Sequence, residues 1–186
     1  MIDFQAITNV NPREILAVFA QNGFRKTSME DIASAVSLSR QSIYKKFGSK
    51  EACYVWCAEA SLSNMYGRVF AAMEEDAPPM ETLERVFELA NADSIDLINT
   101  PFGAETLEHV LKISFASEED WTIRYRSRLG AFLFRHGYAA SRDEGLEVAF
   151  TLIVAARGLL MMATSKDDFQ ADMRRICKSV LERSGS

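Results

Sequence analysis

Apolar residues recur at every third or fourth position along most of this 186-residue chain. That spacing places them along one side of an α-helix. No segment alternates apolar and polar residues for long enough to predict a sheet, and Gly and Pro stand near the expected helix boundaries. The pattern therefore predicts an all-α protein.

The first 76 residues are predicted to form three short helices and one long helix. Pro12 suits the first turn of a helix capped by Asn11, and Thr27 or Ser28 can cap the second helix. Ser39 can cap the third, and Ser49 the fourth. The second helix carries a single apolar stripe with helical spacing: Met29, Ile32, Ala33 and Val36.

The third helix has only a narrow apolar edge. Ile43 and Phe47 lie about 40° apart on a helical wheel and mark the buried side. Gln41 and Lys45 fall on the opposite side. Tyr44 and Ser42 lie to the two sides, and Arg40 and Lys46 border the apolar edge.

The chemistry of that polar face suits DNA. Arg and Lys can donate to guanine O6 and N7, and Gln can pair with adenine N6 and N7. Tyr and Ser hydroxyls suit phosphate oxygens. Two short helices joined by a tight turn, with such a face on the second, predict a helix-turn-helix whose second helix enters the major groove. A merely solvated face remains the alternative on charge alone.

The charge distribution favours the DNA interpretation. Residues 1–50 carry seven Lys or Arg against four Asp or Glu, a net charge of +3, whereas the remaining 136 residues carry 14 basic and 22 acidic side chains, a net charge of −8. The overall pI of 5.2 argues against a protein that coats nucleic acid. A basic segment before an acidic body suits contact with a polyanion at one end only.

The stretch GFRKTSMEDIASAVSLSRQSIYKKFGSKEA resembles the DNA-binding segment of the tetracycline-repressor (TetR) family of bacterial regulators. The close resemblance covers about residues 11–57. Val36-Ser37-Leu38 replaces the usual Ala-Gly-Val at the turn, where Ser tolerates the required conformation less well than Gly. The matching positions are Gly23-Phe24, Thr27-Ser28, Ile32-Ala33, Ser39, Ile43-Tyr44, Phe47 and Ser49-Lys50-Glu51.

The resemblance implies roles for individual residues. Thr27, Tyr44 and Lys50 match positions that usually contact phosphates, Lys50 from the start of the fourth helix. In the family, bases are read by side chains of the third helix at positions that vary from member to member. The predicted DNA-binding residues are Thr27, Ser39, Arg40, Gln41, Ser42, Tyr44, Lys45, Lys46 and Lys50.

The resemblance also implies two domains, a helix-turn-helix DNA-binding domain at residues 1–50 and a helical ligand-binding and dimerisation domain at residues 51–186. Aromatic residues recur in the second domain, where they either form its core or wall a cavity for a largely apolar small-molecule effector. The candidate pocket residues are Trp56, Tyr66, Phe70, Phe87, Phe102, His109, Phe115, Trp121 and Tyr125.

The last two predicted helices, residues 142–163 and 168–182, indicate a homodimer interface. The first is apolar around most of its circumference, and the second has a narrow seam with 4-3-4 spacing. Packing within one subunit is the alternative. The expected interface residues are Ala149, Ile153, Ala156, Leu160, Phe169, Met173, Ile176 and Val180.

Catalysis finds little support in the sequence. The chain has two histidines and no HExxH, GxSxG or Gly-rich phosphate loop, so we expect neither an enzyme nor a bound metal or cofactor. Cys53 and Cys57 share a helix face, where a small buried role competes with metal binding or redox sensing. His109 belongs to the pocket wall or to the surface.

These features predict a cytoplasmic, homodimeric repressor that binds a palindromic double-stranded DNA operator and is released by a small molecule. Three cysteines without a disulfide spacing favour a reducing compartment, and no apolar run is long enough to span a membrane. An effector-free architectural DNA-binding protein and a helical-bundle enzyme remain the alternatives.

Overall fold

The computed structural model describes residues 10–116 and 120–184, and in these two ranges all regular structure is helical. The predicted all-α class is confirmed. The helices are α1 (Pro12–Asn22), α2 (Met29–Ala35), α3 (Arg40–Phe47), α4 (Lys50–Ala72), α5 (Pro79–Ala90), α6 (Ile95–Ile98, after a 3-10 turn at Ala92–Ser94), α7 (Gly103–Ala116), α8 (Trp121–Arg135), α9 (Arg142–Leu160) and α10 (Lys166–Ser184). The 3-10 turn and α6 were not predicted.

Side-chain caps begin the short helices where the sequence predicts them. Asn11 accepts a hydrogen bond from the Arg13 amide at 3.1 Å. Ser28 and Asp31 form a reciprocal capping box at the start of α2. The hydrogen bonds from Ser28 lower the pKa of the Asp31 carboxyl, so the box keeps the charge that favours a helix N-terminus. Ser39 accepts from the Ser42 amide at 3.1 Å and caps α3.

The described residues fall into two compact units. The N-terminal unit contains the described residues up to Ser63 together with Leu97–Ala116, and the C-terminal unit contains Asn64–Asp96 together with the described residues from 120 onward. The sequence placed the division at residue 50, which is the first residue of α4. Packing thus assigns α4 as far as Ser63 and all of α7 to the unit that carries α1–α3.

Backbone bonds to α1 explain why Leu97–Ala116 belongs to the N-terminal unit. The Thr100 hydroxyl and the Phe102 amide both donate to the Ala20 carbonyl, each at 2.8 Å. Gly23 lies against the Phe102 ring, which a Cβ on Gly23 would approach to 3.1 Å. These contacts join residues that are about 80 positions apart, so no local sequence pattern predicts them.

In the C-terminal unit, α8 packs along α9, and α10 packs against α9 and α5. Gly130 of α8 and Gly145 of α9 meet at the closest approach of the first pair. A Cβ added to Gly145 would lie 2.5 Å from the Gly130 carbonyl oxygen. Glycine at this crossing lets the two backbones touch.

We expect Gly145→Ala to lower the free energy of unfolding by about 1–3 kcal/mol, because the added methyl group meets backbone that cannot rotate away. Gly67→Ala is the matched control. Gly67 lies inside α4 with open space around it, so alanine there should stabilise by about 0.5–1 kcal/mol. Urea unfolding at one protein concentration measures both changes. A neutral Gly145→Ala would contradict the close crossing.

Burial within one subunit corrects the predicted dimer interface on α9. Ala149 and Ala156 have no exposed surface, and Ile153 and Leu160 are each 6 % exposed in the single chain. Phe169 and Met173 of α10 are also buried, whereas Ile176 and Val180 are half-buried. A side chain already covered inside its own subunit has no surface left for a partner. The α9 stripe that the sequence assigned to the interface is a core stripe.

Candidate nucleic-acid interface

A tight turn joins α2 to α3. Ser37 has a φ of 55°, in the left-handed region that favours Gly, the residue that the resembling family usually has at this position. The Leu38 amide donates to the Ala33 carbonyl at 2.9 Å, and the Ser37 amide donates to the Ser34 carbonyl at 3.2 Å. These two bonds hold the chain in the turn, so the direction of α3 is set against α2.

The structure places the side chains of α3 on two distinct sides. Ile43 and Phe47 are buried, and Phe47 packs against Trp56 with ring centroids 5.1 Å apart. Gln41 and Lys45 are exposed on the opposite side, together with Arg40 and Tyr44 next to them, whereas Ser42 and Lys46 are half-buried. We call the four exposed residues Arg40, Gln41, Tyr44 and Lys45 the α3 polar face.

Arg40 and Tyr44 interact with each other on the α3 polar face. The Arg40 guanidinium lies 5.5 Å from the centroid of the Tyr44 ring, a stacking distance that steadies both side chains. The Ser39 and Ser42 hydroxyls lie 2.8 Å apart and bond to each other at the helix start. Ser39 and Ser42 therefore organise the first turn, while the polar face presents two cations, an amide and a phenol to solvent.

Thr27 and Lys50 hold the loop between α1 and α2. The Thr27 side chain is 2 % exposed, and its hydroxyl donates to the Gly23 carbonyl at 2.9 Å. This burial does not fit a phosphate contact by the Thr27 side chain. The Lys50 ammonium donates to the carbonyls of Phe24 at 2.7 Å and Thr27 at 2.9 Å, and lies 4.6 Å from the Phe24 ring centroid. Lys50 therefore ties the start of α4 to this loop.

Four of the predicted pocket residues form one aromatic cluster, Tyr66, Phe70, Trp121 and Tyr125. The Tyr66 and Trp121 rings stack with centroids 5.5 Å apart and planes 7° apart. Tyr66 also lies 5.9 Å from Phe70 and 5.7 Å from Tyr125. The Tyr125 hydroxyl is buried and has no hydrogen-bond partner in the described part of the chain. Burial raises the pKa of this hydroxyl, and the nearby Tyr66 and Cys177 raise it further, so it stays neutral.

The other predicted pocket residues lie apart from this cluster. Trp56 packs on Phe47, Phe102 packs on Gly23, and the His109 ring meets the Tyr54 ring edge-on at 6.3 Å. Phe87 is buried on α5. The side chain of Phe115 lies outside the described residues. The structure thus brings four of the nine predicted residues together in one cluster on the C-terminal unit, and Phe87 lies on the same unit outside that cluster.

Cys53 and Cys57 are both fully buried in α4. Burial raises the pKa of the Cys57 thiol, with further contributions from Cys53, so the thiolate needed for metal binding or oxidation is disfavoured. Within residues 10–116 and 120–184, no group of three or more His, Cys, Asp or Glu is arranged to hold a metal ion. The burial of both thiols fits the small buried role that the sequence favoured.

An apolar strip remains exposed on α9. Phe150 and Val154, one helical turn apart, are each 50 % exposed. The Arg126 guanidinium lies 5.2 Å from the Phe150 ring centroid and pairs with Glu147 at 2.9 Å. We call Phe150 and Val154 the α9 strip. The sequence did show these residues as a second apolar side of the helix, but it did not show which side was free.

Comparisons with known proteins agree with this geometry. Residues 14–55 match the family model of bacterial regulatory proteins, tetR family. An uncharacterized HTH-type transcriptional regulator of Bacillus subtilis, YezE, is 22 % identical over 134 residues, covering 70 % of this chain and 67 % of that protein.

Solved structures share the fold. The TetR family transcriptional regulator PfmR from Thermus thermophilus is 21 % identical, with a TM-score of 0.63 over 92 % of this chain and 97 % of that one. A TetR transcriptional regulator from Legionella pneumophila is 18 % identical, with a TM-score of 0.67 over 90 % of this chain and 93 % of that one. None of the helices in the described ranges is both long and apolar enough to cross a bilayer.

Proposed function

We propose, from the premise that this chain belongs to the tetR family of bacterial regulatory proteins, that it is a homodimeric repressor released from a palindromic operator by a small molecule. DNA binding and transcriptional regulation are properties of that family. The α3 polar face carries the proposal for DNA binding, because it combines side chains that can bond base edges with a helix held by the buried Ile43 and Phe47.

The α3 polar face is suited to direct readout. Gln41 lies opposite the buried Ile43 and Phe47, so it points away from the protein when α3 enters the major groove. An amide side chain can bond adenine N6 and N7 together, and the neighbouring Arg40 can bond guanine O6 and N7. We assign base reading to these two residues.

Phosphate contacts suit the remaining donors. Tyr44 is exposed at the side of α3, where the strands of a bound duplex run, and Lys45 adds a positive charge. Such contacts orient the helix without carrying sequence information. Lys50 contributes to this role by keeping the α1–α2 loop in place. Its three N–H donors are directed at the carbonyls of Phe24, Arg25 and Thr27, so a phosphate contact would replace one of these bonds.

Two copies of the chain are needed to read a palindrome, because helix-turn-helix dimers place their reading helices about 34–36 Å apart or at a multiple of that distance. The α9 strip supplies a surface for the second copy. An exposed pair of large apolar residues on a long helix gains stability when it packs against its own symmetry mate. Ile176 and Val180 of α10, half-buried in the single chain, can extend this surface.

Release follows from linkage. Suppose that a small molecule binds more tightly to a conformer in which the two reading helices have the wrong spacing for the operator. The affinity for DNA then falls by at most the ratio of the small molecule's affinities for the two conformers. We place the effector site at the aromatic cluster of the C-terminal unit, because its rings and the neutral, unpartnered Tyr125 hydroxyl suit a largely apolar molecule with one polar group. The effector should dissociate from the protein chemically unaltered. If the protein converted it into another compound, the alternative of a helical-bundle enzyme would be favoured instead.

Replacing Gln41 with alanine tests the reading face. We expect the base preference at particular operator positions to relax by about 1–3 kcal/mol, while binding to random DNA stays close to that of the wild type. The measurement is selection of bound duplexes from a random library, followed by titration of the best and the scrambled sites. Gln21→Ala, at an exposed position on α1, is the control. An unchanged preference in Gln41→Ala would reject α3 as the reading helix in this orientation.

A further inference from the structure

Arg40 and Tyr44 lie one helical turn apart on α3, next to the buried edge formed by Ile43 and Phe47. Side chains four positions apart on a helix are neighbours, and here the Arg40 guanidinium lies 5.5 Å from the centroid of the Tyr44 ring. Tyr44 is 42 % exposed and Arg40 is exposed as well, so both side chains are accessible to a duplex that approaches α3. The contact therefore lies on the surface that we propose to read DNA.

The contact involves the Tyr44 hydroxyl as well as the ring. A side-chain hydrogen bond to Tyr44 raises the pKa of the Arg40 guanidinium, with smaller electrostatic contributions from Tyr44 and from Glu30 of α2. A phenol oxygen that accepts such a bond keeps its own O–H as a donor. Arg presents five N–H donors in a planar fork, so one bond to Tyr44 leaves donors for a bidentate contact with a base.

This arrangement matters for readout because an arginine side chain is long and has many rotamers. It loses that freedom when its planar fork is fixed against a base edge, and the loss weakens binding. A neighbour that already holds the guanidinium in the free protein reduces the loss. The geometry of the Arg40 fork relative to α3 therefore depends on Tyr44.

We propose that Tyr44 is a positioning residue for base reading by Arg40, which it holds in the orientation that meets a guanine edge while its own O–H donates to a backbone phosphate. This inference rests on the proposed DNA-binding function and adds a role in sequence preference to the phosphate contact of Tyr44. One hydroxyl accepts from the reading side chain and donates to the backbone, so the seating of α3 and the direction of Arg40 are set together. A phosphate contact alone would change binding to every sequence by the same factor.

Tyr44→Phe tests the hydroxyl, because phenylalanine keeps the ring and removes the oxygen. Selection of bound duplexes with the wild type and with Arg40→Ala first identifies the operator position that Arg40 reads. The preference there is the dissociation constant of the site with that base pair changed, divided by that of the best site. We expect Tyr44→Phe to lower this ratio about two- to tenfold, the effect of losing one hydrogen bond. The ratios at positions read by Gln41 should stay unchanged.

Two further measurements separate positioning from other causes. Tyr44→Phe added to Arg40→Ala should leave the ratio where Arg40→Ala alone puts it, because no guanidinium remains to be positioned. In the DNA-free protein, NMR relaxation of the Arg40 Nε–H group should show motion of larger amplitude in Tyr44→Phe than in the wild type. Lys45→Gln is the matched control, since it removes an exposed charge from the same helix and should weaken binding to all sequences alike.

An equal loss of affinity for every sequence in Tyr44→Phe would leave Tyr44 as a phosphate contact and overturn the proposal. Unchanged motion of Arg40 in that variant would overturn it too. The proposal also fails if Arg40→Ala relaxes no operator position, even where Gln41→Ala confirms α3 as the reading helix. A wild-type protein that selects no sequence would reject the proposed function and this proposal together.

Discussion

Replacing Phe150 with glutamate should convert the protein into a folded monomer that has lost its affinity for operator DNA. Phe150 is half exposed on α9, and Glu147 already lies one turn away. In a two-fold dimer the new carboxylates of both copies would lie in the same interface, where a buried charge without a partner costs about 3–5 kcal/mol. The dimer dissociation constant should rise by about 100-fold or more.

Sedimentation across a concentration series measures the dimer, and titration with operator DNA measures its consequence. Because Phe150 contributes little to the core of one subunit, circular dichroism should show wild-type helix content. Ala71→Glu, at an exposed position on α4, adds the same charge away from the α9 strip and should remain dimeric. A dimeric Phe150→Glu with full operator affinity would reject the α9 strip as the interface.

Ala156→Glu should unfold the C-terminal unit, although it places the same side chain on the same helix. Ala156 has no exposed surface, and its neighbours along the stripe, Ile153 and Leu160, are buried as well. A carboxylate forced into this apolar core loses its hydration, so we expect a loss of several kcal/mol in the free energy of unfolding. The pair of variants separates the core side of α9 from its outer side.

The pH dependence gives Ala156→Glu a distinctive signature. Burial disfavours the charged form, so the pKa of the new carboxyl is raised in the folded state above its unfolded value. The folded state then binds more protons, and the deficit relative to the wild type should narrow as pH falls from 7 towards 5. Urea unfolding at several pH values measures this change. If Ala156→Glu were a stable monomer while Phe150→Glu remained dimeric, the stripe containing Ala156 would be the dimer interface, as the sequence first predicted.

Short-range patterns determined the local structure of the N-terminal helices. The caps at Asn11 and Ser39 follow from the hydrogen-bonding preferences of a few adjacent residues, and of the two candidates Thr27 and Ser28 the structure uses Ser28. The left-handed position at Ser37 was expected only from the family resemblance, because the family usually has Gly there. The α3 polar face is determined in the same way, because only Ile43 and Phe47 can serve as its buried edge.

The same patterns were ambiguous where a helix has two apolar sides. On α9 the stripe containing Ala156 and the strip containing Phe150 both predict burial, and periodicity does not distinguish the subunit's own core from a partner. The close crossing of Gly130 and Gly145 helps to turn the Ala156 side inward. Only the packing of α8 and α10 on α9 decided that Phe150 and Val154 stay outside.

Contacts between residues distant in sequence account for the remaining differences between the sequence-based predictions and the structure. Leu97–Ala116 joined the N-terminal unit through bonds to Ala20, and Lys50 reached the carbonyls of Phe24 and Thr27. These partners lie more than 20 positions away along the chain. Local sequence determines which residues can be buried or can donate a hydrogen bond, whereas the tertiary arrangement selects the partner, because contact free energies depend on surfaces that meet only after the helices have packed.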